Sequence, residues 1–297
     1  MWPCLQALFP LARMPSRVRI PMTENPVTVC IMARESARLK VRVECLLSGT
    51  GVAMPVIEVL ESVGSTNQHL LQASDQREQA PRACLAMSQT AGRGRRGRMW
   101  HTAPGKNLAL SLAWPLSRSL VPPAYPVGAG TGVVRALEEF GLSHVRLKWP
   151  NDLMVGDAKL GGILVEQRLG SASVPGRLVV GIGINLASVE TLDLGRPVID
   201  LAALGVDVDL LELASHVIAQ QCRLHSVLMK EGLASLAPEL ERMDMLRDQP
   251  IEVLDSGARG RALGIDPESG CLKVRFEDGV TRTLHSGEVS VRRCEHV

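Results

Sequence analysis

The residues with the most chemistry to offer lie in one stretch, Gln89-Thr90-Ala91-Gly92-Arg93-Gly94-Arg95-Arg96-Gly97-Arg98-Met99-Trp100. Guanidinium groups are set among glycines, so fixed positive charge and bare backbone N–H groups can converge on one bound anion. Glycine lets the main chain come close to a ligand, and arginine forks planar donors onto phosphate or carboxylate oxygens. The spacing is not that of a Walker loop. Arginine-glycine runs also occur in disordered RNA-binding segments and solvated loops. The flanks argue for a folded setting: Cys84–Met87 before the loop and Leu108–Trp114 after it both read as buried strands.

Three further blocks carry groups of the same kind. In Val145-Arg-Leu-Lys-Trp-Pro-Asn-Asp152, alternation points Val145, Leu147 and Trp149 one way and Arg146 and Lys148 the other. Pro150 ends that strand and leaves Asn151 and Asp152 at its tip. Lys159-Leu-Gly-Gly-Ile-Leu-Val-Glu166 follows as a hairpin partner, and Leu178-Val-Val-Gly-Ile-Gly-Ile-Asn185 is a glycine-rich strand ending in an amide. Ser65-Thr66-Asn67, between a strand at Val56–Leu60 and a helix from Gln68, either caps that helix or donates to a ligand carbonyl. Both readings stand at this point.

Arg93, Arg95, Arg98, Lys148, Lys159, Asn151 and Asn185, with Asp152 as the only carboxylate among them, suit two anions brought together. A carboxylate attacking an α-phosphate to make an acyl-adenylate is one such case. Two like charges about 4 Å apart repel by roughly 4 kcal/mol at an effective dielectric near 20. Cations between them remove most of that barrier and stabilise the charge growing on phosphate. The mixed anhydride is water-sensitive, so the loop would also have to close over it. The histidines form no H-E-x-x-H, no G-x-S-x-G elbow is present and no cysteine has a catalytic setting, so metalloprotease and serine-hydrolase readings lack support.

The surrounding chain must hold these groups in place. Leu39, Val43 and Leu46 predict a helix from about Ala33, stopped at Ser48-Gly-Thr-Gly51. The strand Asn107–Trp114 has one bulky face (Leu108, Leu110, Leu112, Trp114) and one small face (Ala109, Ser111, Ala113) that admits a helix or a flat ligand. Pro122–Pro126 is a linker into a helix carrying Val134, Leu137 and Phe140, with early glycines that allow close contact. Leu210 to Leu228 is a helix ended by Gly232, and a second helix continues through Met243. Beyond Pro250 the period becomes two: Ile251–Leu254, Arg261–Ile265, Cys271–Phe276 and Val280–Leu284 read as short strands of a small β-barrel. The expected divisions are an irregular extension at 1–32, a catalytic domain at 33–247 and a barrel at 248–297.

With 297 residues, 45% of them hydrophobic, the chain can bury a substantial core. A formal net charge of +2 argues against bulk electrostatic binding to nucleic acid. Seven cysteines without a C-x-x-C pair fit reduced thiols and a cytoplasmic location, and no apolar run is long enough to span a bilayer. Residues 1–22 imitate a targeting peptide weakly; an upstream extension, with Met22 as the natural start, is the favoured reading.

Taken in order and spacing, Gly92-Arg-Gly-Arg-Arg-Gly97, Lys148-Trp-Pro-Asn-Asp152, Lys159-Leu-Gly-Gly-Ile-Leu-Val-Glu166 and Gly181-Ile-Gly-Ile-Asn185 resemble the motifs of the bacterial biotin protein ligases. The resemblance runs from about Val56 to the C-terminus. It implies an α/β (α+β) catalytic domain like that of class II synthetases, followed by a small SH3-like barrel. The implied reaction joins biotin to AMP from ATP with Mg²⁺, then passes biotin to one lysine of a biotin carboxyl carrier protein. Carried over by motif, Ser65, Thr66, Asn67 and Gln89 would hydrogen-bond the ureido ring. Arg93, Gly94 and Arg95 would lie over biotin and its acyl-phosphate, and Lys159 would bridge carboxylate and α-phosphate. Asn151, Asp152 and Asn185, with Arg95 and Arg98, would serve the nucleotide. No metal site is fixed by protein alone, Mg²⁺ arriving with ATP near Asp152, and Asp152 would orient or deprotonate the incoming lysine.

Two departures matter. The segment before Val56 is too short and patternless for the DNA-binding winged helix of some members, so a ligase without repressor function, nucleic-acid partner or membrane partner is expected. Where some members place an aromatic on adenine, this chain has Arg196-Pro-Val-Ile199, so the resemblance assigns no adenine-packing residue. Pairing as a homodimer through a sheet edge is common in the family. Lipoate or octanoate ligases share the activation logic but leave Gln89 and the Arg-Gly-Arg-Arg run unexplained together. An arginine-glycine nucleic-acid module is disfavoured by the near-neutral charge and by the lack of aromatic interleaving in the arginine-glycine run beyond Trp100.

Overall fold

A computed structural model describes residues 26–73, 80–100, 103–116, 124–170, 176–187, 197–286 and 290–294. Helix α1 (Pro26–Leu47) buries Leu39, Val43 and Leu47, one residue every four, against the first strand and a later helix. It begins at Pro26 rather than near Ala33, so residues 26–32, expected to be irregular, are helical. The expectations for residues 1–25 lie outside the described residues.

A seven-stranded mixed sheet forms the centre. Its strands are β1 (Val56–Val63), β2 (Arg82–Gln89), β3 (Asn107–Leu116), β4 (Arg146–Lys148), β5 (Asp152–Val155), β6 (Ala158–Arg168) and β7 (Gly176–Asn185). Their spatial order is β1-β2-β3-β7-β6-β5-β4, with β1 and β2 parallel and every other pair antiparallel. The crossover from β1 to β2 is made by α2 (Thr66–Gln72). The two faces of β3 do different work, as the alternation of large and small residues requires. Leu108, Leu110, Leu112 and Trp114 join the main core, with Trp114 stacked on His225 of the later helix. Ala113 packs in a smaller cluster with Leu70 of α2, and the Ser111 hydroxyl bridges Thr66 and Asn67.

Helices α3 (Tyr125–Glu138) and α4 (Leu210–Glu231) cover the core. α3 approaches closely because a Cβ on Gly130 would lie 2.4 Å from Leu147. Gly232, at φ 74°, ends α4, and a short 3₁₀ turn leads to α5 (Ala237–Met243). Beyond it, β8 (Pro250–Val253), β9 (Arg259–Ile265), β10 (Leu272–Phe276), β11 (Thr281–Leu284) and β12 (Val291–Arg293) form a five-stranded antiparallel sheet in the order β11-β10-β9-β8-β12. Three turn glycines, Gly257, Gly270 and Gly279, all take positive φ. The sequence pattern missed β12, whose three residues carry a single buried side chain, Val291. The core of this unit is a cluster separate from the main one, and it takes in Trp149, Leu224 and Leu240 from before the sheet, which pack with Ile251, Leu272 and Val274; the Trp149 indole donates to Gly270 O at 2.9 Å. Among the described residues no helix is long and apolar enough to cross a membrane.

Candidate active site

The arginine loop is a small hairpin fixed at its base. Thr90 N–H donates to Val63 O and Ala91 N–H to Gly64 O, while Trp100 N–H closes onto Gly92 O at 2.9 Å. Gly92 is required there, because a Cβ would lie 2.4 Å from Trp100 O. At the tip, Arg96 and Gly97 both take left-handed backbone, with φ 55° and 71°. That twist fans the arginines apart. Arg93 pairs with Glu166 of β6 at 2.9 Å, and Arg95 donates to Asn151 Oδ1 at 3.0 Å and to Ser286 O. Arg96 reaches Asp255 and Ser290 of the C-terminal sheet at 3.2 and 3.1 Å, whereas Arg98 is exposed.

Beneath the loop is a cavity of about 280 Å³. One end is a neutral hydrogen-bonding cradle. Gln89 Oε1 accepts from Thr66 N–H and Oγ1, Ser111 Oγ bridges Thr66 Oγ1 at 2.7 Å and Asn67 Oδ1 at 2.6 Å, and Asn67 Nδ2 donates to Glu166 at 2.8 Å. Ser65 sits at the α2 N-cap position but makes no side-chain cap hydrogen bond, and Thr66 and Asn67 lie in the first turn, so capping is not what these side chains do. The glycines of β7 are explained by close approach: a Cβ on Gly181 would lie 2.2 Å from Asn67 Oδ1, and one on Gly183 2.5 Å from the Trp100 ring. Trp100 Nε1 is buried with no hydrogen-bond partner, on the cavity wall.

The other end is charged. The hairpin of β5 and β6 sets Lys159 Nζ directly against Asp152 Oδ1, with the side chains 11% and 24% exposed. Asn151 Nδ2 donates to Ile163 O at 2.8 Å, leaving Oδ1 to accept from Arg95. Burial pulls the Arg95 guanidinium below its ordinary pKa, opposed by the charge of Asp152; a guanidinium remains cationic at physiological pH all the same. Arg93, Arg95, Arg96, Arg98, Lys148, Lys159 and Arg292 all line the cavity, against Asp152 as its only carboxylate among the described residues.

The structure thus brings Ser65, Thr66, Asn67, Gln89, Arg93, Gly94, Arg95, Arg98, Asn151, Asp152 and Lys159 to one cavity. Asn185 stands apart. It is 5% exposed and absent from the cavity wall, and its Nδ2 is spent on Ile199 O at 3.0 Å and Lys159 O at 3.4 Å. The returning segment 197–199 also grips the backbone of Lys159, through Lys159 N–H to Pro197 O and Ile199 N–H to Lys159 O. Arg196 lies outside the described residues. Sequence reasoning missed Glu166 as a partner of both Arg93 and Asn67, and the contribution of Leu254, Ser290, Val291 and Arg292 from the C-terminal sheet to the cavity wall. The signal for Glu166 was a single carboxylate inside an otherwise conventional hydrophobic strand.

Residues 59–185 match the family described as biotin/lipoate A/B protein ligases. The bifunctional ligase/repressor BirA of Escherichia coli strain K12 is 36% identical over 247 residues, which cover 80% of this chain and 75% of that protein. The chain belongs to this family. Among solved structures, the biotin protein ligase of Aquifex aeolicus in complex with biotin and ATP superposes with a TM-score of 0.68 at 27% identity, over 80% of this chain and 99% of that one. The biotin protein ligase of Leishmania major in complex with biotinyl-5-AMP matches with a TM-score of 0.53 at 26% identity, over 77% of this chain and 98% of that one.

Proposed function

We propose that this enzyme activates biotin with ATP to biotinyl-5'-AMP and transfers the biotinyl group to a lysine of a biotin carboxyl carrier protein. The observation that carries the reading is one cavity with a neutral hydrogen-bonding cradle at one end and converging cations at the other. The cradle of Ser65, Thr66, Asn67 and Gln89 suits a cyclic urea, which offers one carbonyl acceptor and two N–H donors. Gln89 Oε1 and Asn67 Oδ1 then serve as acceptors, and hydroxyls serve as donors.

In the first step a biotin carboxylate oxygen attacks the α-phosphorus, the bond to the bridging oxygen breaks, and pyrophosphate leaves with the electron pair. Lys159, held by Asp152 and by the 197–199 segment, lies where both anions must meet, and Arg95 sits across the same space. Their charge offsets the repulsion between carboxylate and phosphate and stabilises the oxyanion developing on phosphorus. Mg²⁺ suits this site as a partner of the nucleotide: one carboxylate, Asp152, is available, in keeping with a cation that binds through substrate phosphates, waters and one or two carboxylates. When bound it supplies charge neutralisation on the phosphates. The loop hairpin and the C-terminal residues Leu254 and Ser290 cover the product against water.

In the second step the neutral amine of the carrier lysine attacks the acyl carbon, the bond to the AMP phosphate oxygen breaks, and AMP departs. Asp152 takes the amine proton or orients the amine. The test is incubation with biotin, Mg-ATP and a carrier domain, scored by mass. One biotinyl group on one lysine is expected, and only with ATP present; a carrier left unmodified in the presence of ATP, or modified in its absence, would overturn the proposal.

A further inference from the structure

On the sheet face away from the main core, Glu58 of β1 and Cys84 of β2 are direct neighbours in the parallel ladder, so their side chains project from the same face. His69, one turn into α2, comes down onto them. Its Nε2 lies 2.6 Å from Glu58 Oε1, and one oxygen, one nitrogen and the Cys84 sulfur all lie within 4.8 Å of one another. None of the three lines the cavity described above. The geometry points to a second site, in which Glu58, His69 and Cys84 bind a thiophilic divalent cation of the Zn²⁺ class.

Carboxylate, imidazole and thiolate are the donors such cations take, at about 2.0–2.2 Å for oxygen and nitrogen and about 2.3 Å for sulfur. In a tetrahedral arrangement those bond lengths place donors about 3.3–3.6 Å apart. The His69–Glu58 pair must open slightly and Cys84 must close by about 1 Å, movements within reach of side-chain rotation. The buried wall is fixed, since Cys84 is fully buried among Leu70, Ala113 and Val179. The opposite side is open, with the Glu58 and His69 side chains 30% and 35% exposed, which gives the cation an entry path and room for a water as fourth ligand.

Charge also balances. Arg82 lies near all three groups, but a dication with one carboxylate, one thiolate and a neutral imidazole is neutral overall. Bound there, the cation would clamp α2 to β1 and β2.

The test uses Co²⁺ as the probe on the full chain, followed by Zn²⁺ displacement. Wild type should develop a thiolate-to-cobalt charge-transfer band that saturates at one equivalent and is abolished by Zn²⁺. His69→Gln and Glu58→Gln, at half-exposed positions, should weaken Co²⁺ binding at least tenfold, and Cys84→Ser should remove the band. Cys30 and Cys45 are exposed thiols that could bind cobalt on their own; a band retained in Cys84→Ser, or undiminished Co²⁺ affinity in His69→Gln, would assign binding elsewhere and overturn the site. Absence of any band in wild type would overturn it as well. Zn²⁺ should also raise the Tm of wild type and leave that of His69→Gln unmoved; equal shifts in both would contradict the assignment.

Discussion

Glu166→Gln isolates the contact that sequence reasoning missed. The Glu166 carboxylate accepts from Arg93 at 2.9 and 3.1 Å and from Asn67 Nδ2 at 2.8 Å. The Arg93 side chain is 43% exposed, so that ion pair is screened and contributes about 1 kcal/mol or less. Asn67 is 3% exposed, and a buried amide donating to a charged acceptor is worth about 1.5–3 kcal/mol. Glutamine keeps the shape and one acceptor oxygen, so the net loss should be about 1–2 kcal/mol, a factor of about 5–30. Because Asn67 and Arg93 face the proposed biotin end, the loss should fall on KM for biotin and leave KM for ATP unchanged. Biotin-dependent ATP–pyrophosphate exchange, with each substrate varied in turn, reads this directly. Equal losses for both substrates, or an unchanged KM for biotin, would refute the reasoning. Combining the substitution with Arg93→Ala should give less than the sum of the two effects.

Three further outcomes are expected. Asp152→Ala should transfer preformed adenylate to carrier at least tenfold more slowly than wild type, read by rapid-quench assay; a normal transfer rate would remove Asp152 from the second step. Gly181→Ala places a Cβ 2.2 Å from Asn67 Oδ1 and must push that side chain aside, with destabilisation of about 1–3 kcal/mol and at least tenfold weaker biotin binding by calorimetry. His225 is stacked on Trp114 and bonded to Tyr125 Oη at 2.7 Å, and burial lowers its pKa to about 4. The unfolded chain takes up a proton near pH 6.5 that the folded chain refuses until about 4, so stability should fall as pH drops through this window. The loss is roughly 2–3 kcal/mol, and His225→Gln should flatten that part of the urea-denaturation pH profile.

Much of the site can be read from local pattern because each part obeys a local rule. The alternation of Val145, Leu147 and Trp149 buries all three and delivers Lys148, Asn151 and Asp152 to the cavity. The glycines of β7 signal close approach, and Trp100 and Asn67 are what approach them. What local pattern misses depends on distant chain. Asn185 ends a strand as expected, but the return of residues 197–199 takes its amide away from the cavity and uses it to hold Lys159. Glu166 is only the last residue of the Lys159–Glu166 block in sequence, and its partners become evident where Asn67 of α2 and Arg93 of the arginine loop meet it. The C-terminal sheet reads as an appendage, whereas the Trp149–Gly270 hydrogen bond and the Arg96–Asp255 pair draw it over the cavity. The helix at Pro26 begins earlier than its apolar spacing suggests because its first turns bury little.

The central claim is that Lys159 and its neighbouring arginines hold a carboxylate and a phosphate together against their mutual repulsion. Biotin-dependent ATP–pyrophosphate exchange by Lys159→Ala tests it most directly, since exchange reports adenylate formation alone. Loss of a charge-stabilising donor predicts a fall of about 10²–10³-fold, with the fold intact by circular dichroism. Exchange near the wild-type rate in a folded variant would contradict the account.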